Sequence, residues 1–360
     1  MNFKEFDILD AGNTEDMKKW IDIWLSWPER EIHAHPGYVK LYADENSKPV
    51  CAYLNTQDGN VLYPFILRNL GREWYCENLP FPIYDITTPY GYGGPYKWND
   101  KNPEILALEF WEKFNRWAVK TCIVSEFIRF SLFENELLSY PGTREYKFDN
   151  IVRNLNMNEN ELWMDIKKQL RNNIKKAITN EIKIEEDFTG KNLHHFLEIY
   201  YNTMDRRNAD KWYYFPKTFF EQINKELIGH FVYFYATLNG EPVSSTLVLS
   251  SGHTAYLFLG GTYGEFLNMY PKSCLDYEII LWARKEGLKH VVLGGGHGSN
   301  DNIYRYKKSF APSGIVPFYT GTRIIKEELY HLIIENKKNM HKQKGTEWEP
   351  KEGYFPAYRA

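Results

Sequence analysis

The sequence predicts an α/β (α+β) protein of two consecutive domains, each a meander of antiparallel strands flanked by helices. Three observations carry that expectation. At 360 residues the chain exceeds the size at which one core usually keeps growing. Two hairpin dipeptides, Asp58-Gly59 and Asn239-Gly240, mark an antiparallel meander in each half. Finally, one order of elements (strand, helices, meander, long helix, strand) occurs twice, although the two halves share no visible sequence identity.

The elements follow from local chemistry. Lys4 to Leu9 reads as a strand, and Thr14 to Trp27 as a helix that Thr14 caps and Pro28 stops, with Met17, Trp20, Ile21 and Trp24 on one face. Pro49 to Asn55 and Asn60 to Arg68 form the first hairpin, with Arg72 to Asn78 as a third strand. Residues 80–96, PFPIYDITTPYGYGGPY, read either as a rigid connector or as a ligand wall built from Tyr90 and Tyr92. Leu106, Phe110, Phe114 and Trp117 give Pro103 to Lys120 a helical stripe, and Ser125 to Phe133 closes the half as a strand.

After a boundary within Tyr140 to Tyr146, Glu145 to Asn154 is a strand. Glu161 to Ile178 is a helix with Leu162, Ile166, Leu170, Ile174 and Ile178 every four residues; Lys167, Lys168, Arg171, Lys175 and Lys176 lie on its other sides. Such a run is either a solvated face or a phosphate-binding one. Lys183 to Glu186 is a short strand, followed by helices at Asn192 to Met204 and Pro216 to Leu227. Strands follow at His230 to Leu238, Pro242 to Leu249 and Thr254 to Gly260. Pro271 to Gly287 is a helix ended by glycine. Pro317 to Arg323 adds a strand and Lys326 to Asn339 a helix, and the tail from Lys342 to Ala360 has no assigned structure.

One stretch concentrates the chemistry: His290 to Pro312, HVVLGGGHGSNDNIYRYKKSFAP. A short β-branched run opens into Gly294, Gly295 and Gly296, and glycine lets a backbone approach a ligand closely. His297 follows, then Asp301, Tyr304, Tyr306 and Lys307. Without Lys-Ser/Thr after the glycines, or GxGxxG opening a helix, the run is neither a P-loop nor a dinucleotide fingerprint.

Composition excludes several classes. A hydrophobic share of 43% supports full cores, and an aromatic share of 17% suits both cores and flat ligands. The net charge of −3 gives no global pull toward nucleic acid or anionic membrane. Cys51, Cys76, Cys122 and Cys274 form no CxxC pair, so a reduced, cytoplasmic protein without a zinc site is expected. His33 and His35 lack a third ligand, which favours structural roles over metal. No apolar run is long enough for an integral membrane segment.

The element order resembles the Fem-type (FemAB/FemX-like) branch of the GNAT acyltransferase superfamily, in its short form without a coiled-coil insertion. The residues that carry the likeness are Tyr63 to Arg68, Tyr90-Gly91-Tyr92-Gly93-Gly94-Pro95, Leu293 to Gly296 and Tyr304 to Phe310. The resemblance implies two tandem GNAT-like domains, each a mixed, largely antiparallel sheet flanked by helices: 1–144, 145–315, and a segment 316–360 expected to pack back on the first. It implies acyl transfer, from acyl-CoA or aminoacyl-tRNA, onto an amine or hydroxyl of an envelope glycan or peptidoglycan precursor, with tRNA a partner in the second case. Tyr306-Lys307 matches the family's aromatic-lysine pair, with Lys307 at the donor or reaction centre. Thr203 and Arg206 resemble a segment facing the acceptor, and Lys40 a lysine that holds acceptor phosphate. The usual CoA signature is missing; Leu267 to Lys272 stands in its place.

Acyl transfer needs a neutral nucleophile, a route for its proton, and donors aimed at the oxyanion. Lys307 suits the last role. Asp301 suits proton acceptance, Tyr304 its return, and Gly295, Gly296 and His297 the loop around them. The competing expectation is a catalytically silent module that binds glycan or nucleotide-sugar through Tyr90 and Tyr92, with Asp301 capping a turn.

Overall fold

The computed structural model describes residues 5–77, 79, 82–296 and 301–360. The chain forms two compact units: Met1–Trp27 with His33–Lys147 and Phe318–Ala360, and Pro28–Ile32 with Phe148–Pro317.

In chain order the elements are β1 (Glu5–Asp10), α1 (Thr14–Ser26), α2 (Pro36–Lys40), β2 (Ser47–Thr56), β3 (Gly59–Asn69), β4 (Tyr84–Thr87), β5 (Tyr96–Trp98), α3 (Pro103–Lys120) and β6 (Ile123–Arg129). Next come β7 (Thr143–Asn154), α4 (Glu159–Asp165), α5 (Lys168–Thr179), β8 (Lys183–Asp187), α6 (Leu193–Arg207) and α7 (Lys217–Glu226). Then follow β9 (Phe231–Leu238), β10 (Glu241–Ser251), β11 (Thr254–Thr262), α8 (Pro271–Lys285), β12 (His290–Gly294), α9 (Asn302–Phe310), β13 (Ile315–Ile324) and α10 (Glu327–Gln343).

The repeat seen in element order extends to strand pairing. In the first unit the strands run β1-β2-β3-β4-β6, antiparallel except for the parallel pair β4–β6, with β5 also on β3. In the second they run β8-β9-β10-β11-β12, again antiparallel except for the final pair β11–β12. Each sheet therefore ends on one parallel pair joined by a long helix, the connection such a pair requires. From Thr320 onward β13 adds to β6, and from Ile151 onward β7 adds to β12.

Aromatic residues fill the first unit's core. Trp20 and Trp24 of α1, Trp27 beyond it, Tyr63 and Phe65 of β3, and Phe110 and Phe114 of α3 are all fully buried. In the second unit Leu170 and Ile174 of α5 and Ile279 and Ile280 of α8 pack with Val248, Val291 and Leu293. Asn239 and Gly240 both take positive φ, 52° and 86°, which a two-residue hairpin turn of the second meander demands.

Several expectations are corrected. Asn13, not Thr14, caps α1, accepting from the N–H groups of Glu15 and Asp16 at 2.9 and 3.1 Å. The first hairpin turns on Gln57-Asp58, with Gly59 already paired to Thr56. Residues 70–72 and 74–76 are single 3₁₀ turns rather than a strand, and the 80–96 stretch contains β4 and the first residue of β5. The basic helix is broken: Ile166 is extended (ψ 135°), and the Arg171 guanidinium donates to the Trp163, Met164 and Ile166 carbonyls that α4 leaves behind.

The unassigned tail is part of the first unit. Tyr358 is fully buried against Tyr75, Val124, Tyr330 and Ile333. Its hydroxyl meets Ser125 Oγ at 2.6 Å and donates to Asp85 Oδ2 at 3.1 Å. Truncation at this position removes a packed ring and opens a cavity. Tyr358→Ala is expected to cost about 3–5 kcal/mol, the range for emptying a buried aromatic site, and urea denaturation followed by circular dichroism will read it.

Candidate active site

In the second unit β11 and β12 pair only from Thr254↔His290 to Tyr256↔Val292. Beyond that point, among the described residues, no strand pairs with the β12-facing edge of β11. A bulge drives the divergence: Leu247 and Val248 of β10 face Leu259 and Leu257, leaving Phe258 as the extra residue. The gap lies at the carboxyl end of a parallel pair, where α/β sheets commonly receive ligands, and its open backbone edge needs partners.

The glycine run closes one side of this gap. Gly294 has φ 82° and is still paired, opposite Ile151. A Cβ on Gly295 would lie 2.8 Å from the Phe148 ring, and one on Gly296 would lie 2.4 Å from the Asp301 carboxylate. Helix α9 starts directly after the loop, because Asp301 Oδ1 accepts from the Tyr304 N–H at 2.6 Å. One helical turn later Lys307 reaches back, and its Nζ donates to Gly295 O at 2.7 Å.

Five predicted residues thus come together with Lys307: Gly295, Gly296, Asp301, Tyr304 and Tyr306. His297 lies outside the described residues. Burial, reinforced by the Lys272 ammonium and only partly offset by Asp276 and Asp301, pulls the Lys307 pKa down to about 8. Tyr306 donates its hydroxyl to Asp276 Oδ2 at 3.0 Å, and burial holds that phenol far above its usual range. Tyr304 packs in the core of the unit, where burial likewise raises its pKa.

Sequence reasoning missed the partners of this group. Lys272 and Asp276, one turn apart at the start of α8, form an ion pair, and Lys272 Nζ also donates to Thr246 Oγ1 at 2.9 Å. Their i, i+4 spacing was visible in PKSCLD, but the same spacing marks many surface pairs. Tyr270, in the left-handed region at φ 58°, precedes α8 without a side-chain cap. Lys176 of α5 stands over its ring at 5.6 Å. Pro271 has no N–H, and the Ser273 and Cys274 N–H groups return to Tyr270 O at 3.0 and 3.4 Å, so this end of α8 offers phosphate oxygens its dipole and the two nearby ammonium groups of Lys176 and Lys272.

Arg206 and Thr203 sit at the far end of β11. Thr203 Oγ1 accepts from the Thr262 N–H at 2.9 Å, and Arg206 Nη2 donates to Thr262 O at 3.0 Å.

Lys40, Tyr90 and Tyr92 belong to the first unit. Lys40 is the exposed last residue of α2. Tyr90 O accepts from the Tyr38 hydroxyl at 2.8 Å, and Tyr42 packs between those two rings. Tyr92 meets the edge of His33 at 5.2 Å. Full burial drives the His33 pKa down to about 3, so it is a neutral wall of this cluster. His35 caps α2 through Nδ1, which accepts from the Gly37 N–H at 3.1 Å. Among the described residues no group of His, Cys, Asp and Glu has the arrangement of a metal site, and no helix is long and apolar enough to cross a membrane.

Residues 165–308, from the end of α4 into α9, match the family described as an acetyltransferase (GNAT) domain. Among solved structures the chain is similar to FemX, with 14% identity and a TM-score of 0.65 over 88% of this chain and 98% of that one. A conserved protein of unknown function from Bacteroides thetaiotaomicron VPI-5482 follows at 12% and 0.57, covering 88% and 99%. L-PGS from Bacillus licheniformis is 12% identical at a TM-score of 0.54, covering 90% of this chain and 96% of that one. No curated protein matches the sequence.

The Gly296–Asp301 contact is open to a direct check. In Gly296→Ala the new methyl displaces the carboxylate that caps α9. The expected cost is about 1 kcal/mol, typical of a lost N-cap, measured as a shift of the urea midpoint at constant slope.

Proposed function

From this Fem-like GNAT fold, we propose that the chain is an acyltransferase that moves an acyl group onto an amine or hydroxyl of a bacterial cell-envelope precursor, peptidoglycan or polysaccharide. The observation that carries this reading is the parting of β11 from β12 with the Lys307 ammonium at its end. A planar thioester laid along the open edge of β11 finds backbone hydrogen-bond partners there, and its carbonyl oxygen develops negative charge in reach of a cation.

The chemistry is a substitution at that carbonyl. The neutral amine or hydroxyl adds to the carbon, forming a new C–N or C–O bond and an oxyanion. Collapse breaks the bond to the leaving group, and the nucleophile's proton ends on that group. Lys307, mainly protonated at neutral pH with a pKa of about 8, neutralises the oxyanion. Asp301 accepts the proton, with Oδ1 held by the Tyr304 N–H. The Tyr304 phenol, kept protonated by burial, returns one to the leaving group.

Acyl-CoA is the favoured donor. Lys176, Lys272 and the uncapped start of α8 suit its diphosphate. Arg171, which a tRNA-binding face would use, is committed to three backbone carbonyls. The envelope acceptor rests on the likeness of the sequence to the Fem branch, and a cytoplasmic location goes with it.

Thiol release from acetyl-CoA, with amino sugars and stem peptides as acceptors, tests the reading. Lys307→Ala is expected to lower kcat/KM about 10²–10³-fold, the effect of removing one oxyanion donor; turnover at the wild-type rate would sink the assignment. The wild-type profile should fall as pH rises through about 8, where Lys307 loses its proton. Lys307→Arg should abolish that limb, since arginine stays charged. Asp276→Asn removes an anion that raises the Lys307 pKa, so it should move the limb to lower pH.

A further inference from the structure

The first half of the chain lends one short stretch to the second unit, Pro28–Ile32, which follows α1. It lies against the turn between β10 and β11. Ser251 Oγ donates to Arg30 O at 2.9 Å. Gly252, at φ 51°, brings the turn so close that a Cβ there would lie 2.5 Å from the same oxygen. Glu29 Oε1 stands 4.0 Å from both His253 Nε2 and Lys289 Nζ. Next to Arg30, Glu31 Oε2 accepts from the Tyr256 hydroxyl, and both of these side chains are buried.

The place of that bond in the strand gives it meaning. Tyr256 is the last residue of β11 to pair with β12, opposite Val292. Leu257, Phe258, Leu259 and Gly260 follow along the gap, all half-buried. A backbone that loses a neighbour gains freedom, and a long side chain tied at its far end takes that freedom away. Sites that must meet a reacting group within a fraction of an ångström depend on such supporting bonds.

We propose that Glu31 is a positioning residue for the donor edge of β11: through the Tyr256 hydroxyl it fixes the strand where β12 leaves it, so that the edge beyond is preformed for the acyl group. This rests on the reading of that edge as the donor site. The contact also carries a proton equilibrium. Burial drives the Glu31 pKa up to about 7, against the opposite pull of hydrogen bonds from Tyr256 and Thr254. Folding then favours the protonated form: the stability this contributes is complete below about 4.5 and is lost as pH rises through about 7. The titratable groups around this end of the unit are Glu29 and Arg30 of the same segment, His230 before β9, His253 in the turn, and Lys289 and His290 at β12. Burial, first among the causes, lowers the pKa of all three histidines, so they are largely neutral where Glu31 titrates.

Urea midpoints of the wild type and Glu31→Gln, measured from about pH 4.5 to about pH 8, test the contact. The glutamine variant still accepts from Tyr256 but has no proton to lose, and every other titrating group is common to both proteins. It should gain on the wild type as pH rises and level off above about 7. Tyr256→Phe removes a donor that favours the anion, so against Tyr256→Phe/Glu31→Gln the same difference should appear at higher pH. In thiol release from acetyl-CoA, Glu31→Ala should raise KM roughly fivefold, the order of one lost hydrogen bond, with a smaller effect on kcat. Glu31→Gln should restore KM. If Glu31→Ala does not fold, Tyr256→Phe takes its place, since it deletes the hydroxyl alone. Parallel midpoint curves for the wild type and Glu31→Gln overturn the proposal, as does wild-type KM in the folded alanine or phenylalanine variant. A protein that transfers no acyl group sinks the donor-site reading instead. Hydrogen exchange of β11 peptides, expected to be faster in Glu31→Ala and Tyr256→Phe, then still decides whether Glu31 holds the strand, and unchanged exchange means that it does not.

Discussion

Two parallel strands that begin as neighbours and then part leave backbone groups in need of partners, and both units are arranged around that need. In the second unit the pair β11–β12 parts after Tyr256 and Val292, aided by the bulge at Phe258. In the first unit the pair β4–β6 extends to Thr87 and Phe127. There the chain stitches the end shut: the Thr88 N–H donates to Phe127 O at 3.1 Å, and Thr88 Oγ1 accepts from the Arg129 N–H at 2.9 Å. Gly93 then bridges to Phe130, and its carbonyl accepts from the Ser131 N–H at 2.7 Å. A Cβ on Gly93 would come within 3.0 Å of the Thr88 side chain, so glycine is what admits the stitch. The same topology thus yields an open edge in one unit and a sealed one in the other.

Much of this was legible in the sequence where one local signal decides the outcome. The stripe Leu106, Phe110, Phe114 marked α3, Asn239-Gly240 marked a tight turn, and the run from Val291 into three glycines marked a strand ending at a site. Illegible features depend on partners distant in sequence. Trp74 to Cys76 has strand-like composition but turns as a 3₁₀ segment, because Tyr75 and Cys76 pack against Tyr330 and Tyr358. The break between α4 and α5 interrupts a perfect four-residue period, and only the fold shows Arg171 satisfying the freed carbonyls. Asp301 to Phe310 read as a cluster of reactive side chains, whereas its spacing is that of a capped helix.

Buried charge separates the acids that the protein saturates from the cation that the proposed chemistry uses. Glu126 is completely enclosed, yet Tyr63 and Arg323 hold it at 2.6 and 2.8 Å. Asp85 has two arginines, and Asp276 has Lys272 and Tyr306. Each of these acids is saturated by the protein itself, the condition under which a buried carboxylate is tolerated. Lys307 differs: among the described residues its ammonium hydrogen-bonds only a neutral oxygen, and burial lowers its pKa. A desolvated cation without an ion pair costs free energy that an arriving anion recovers. In the proposed reaction a lysine with a pKa near 8 answers charge that appears and vanishes at the carbonyl oxygen. An arginine in its place would stay protonated throughout the working range, so a pH response at this position belongs to lysine alone.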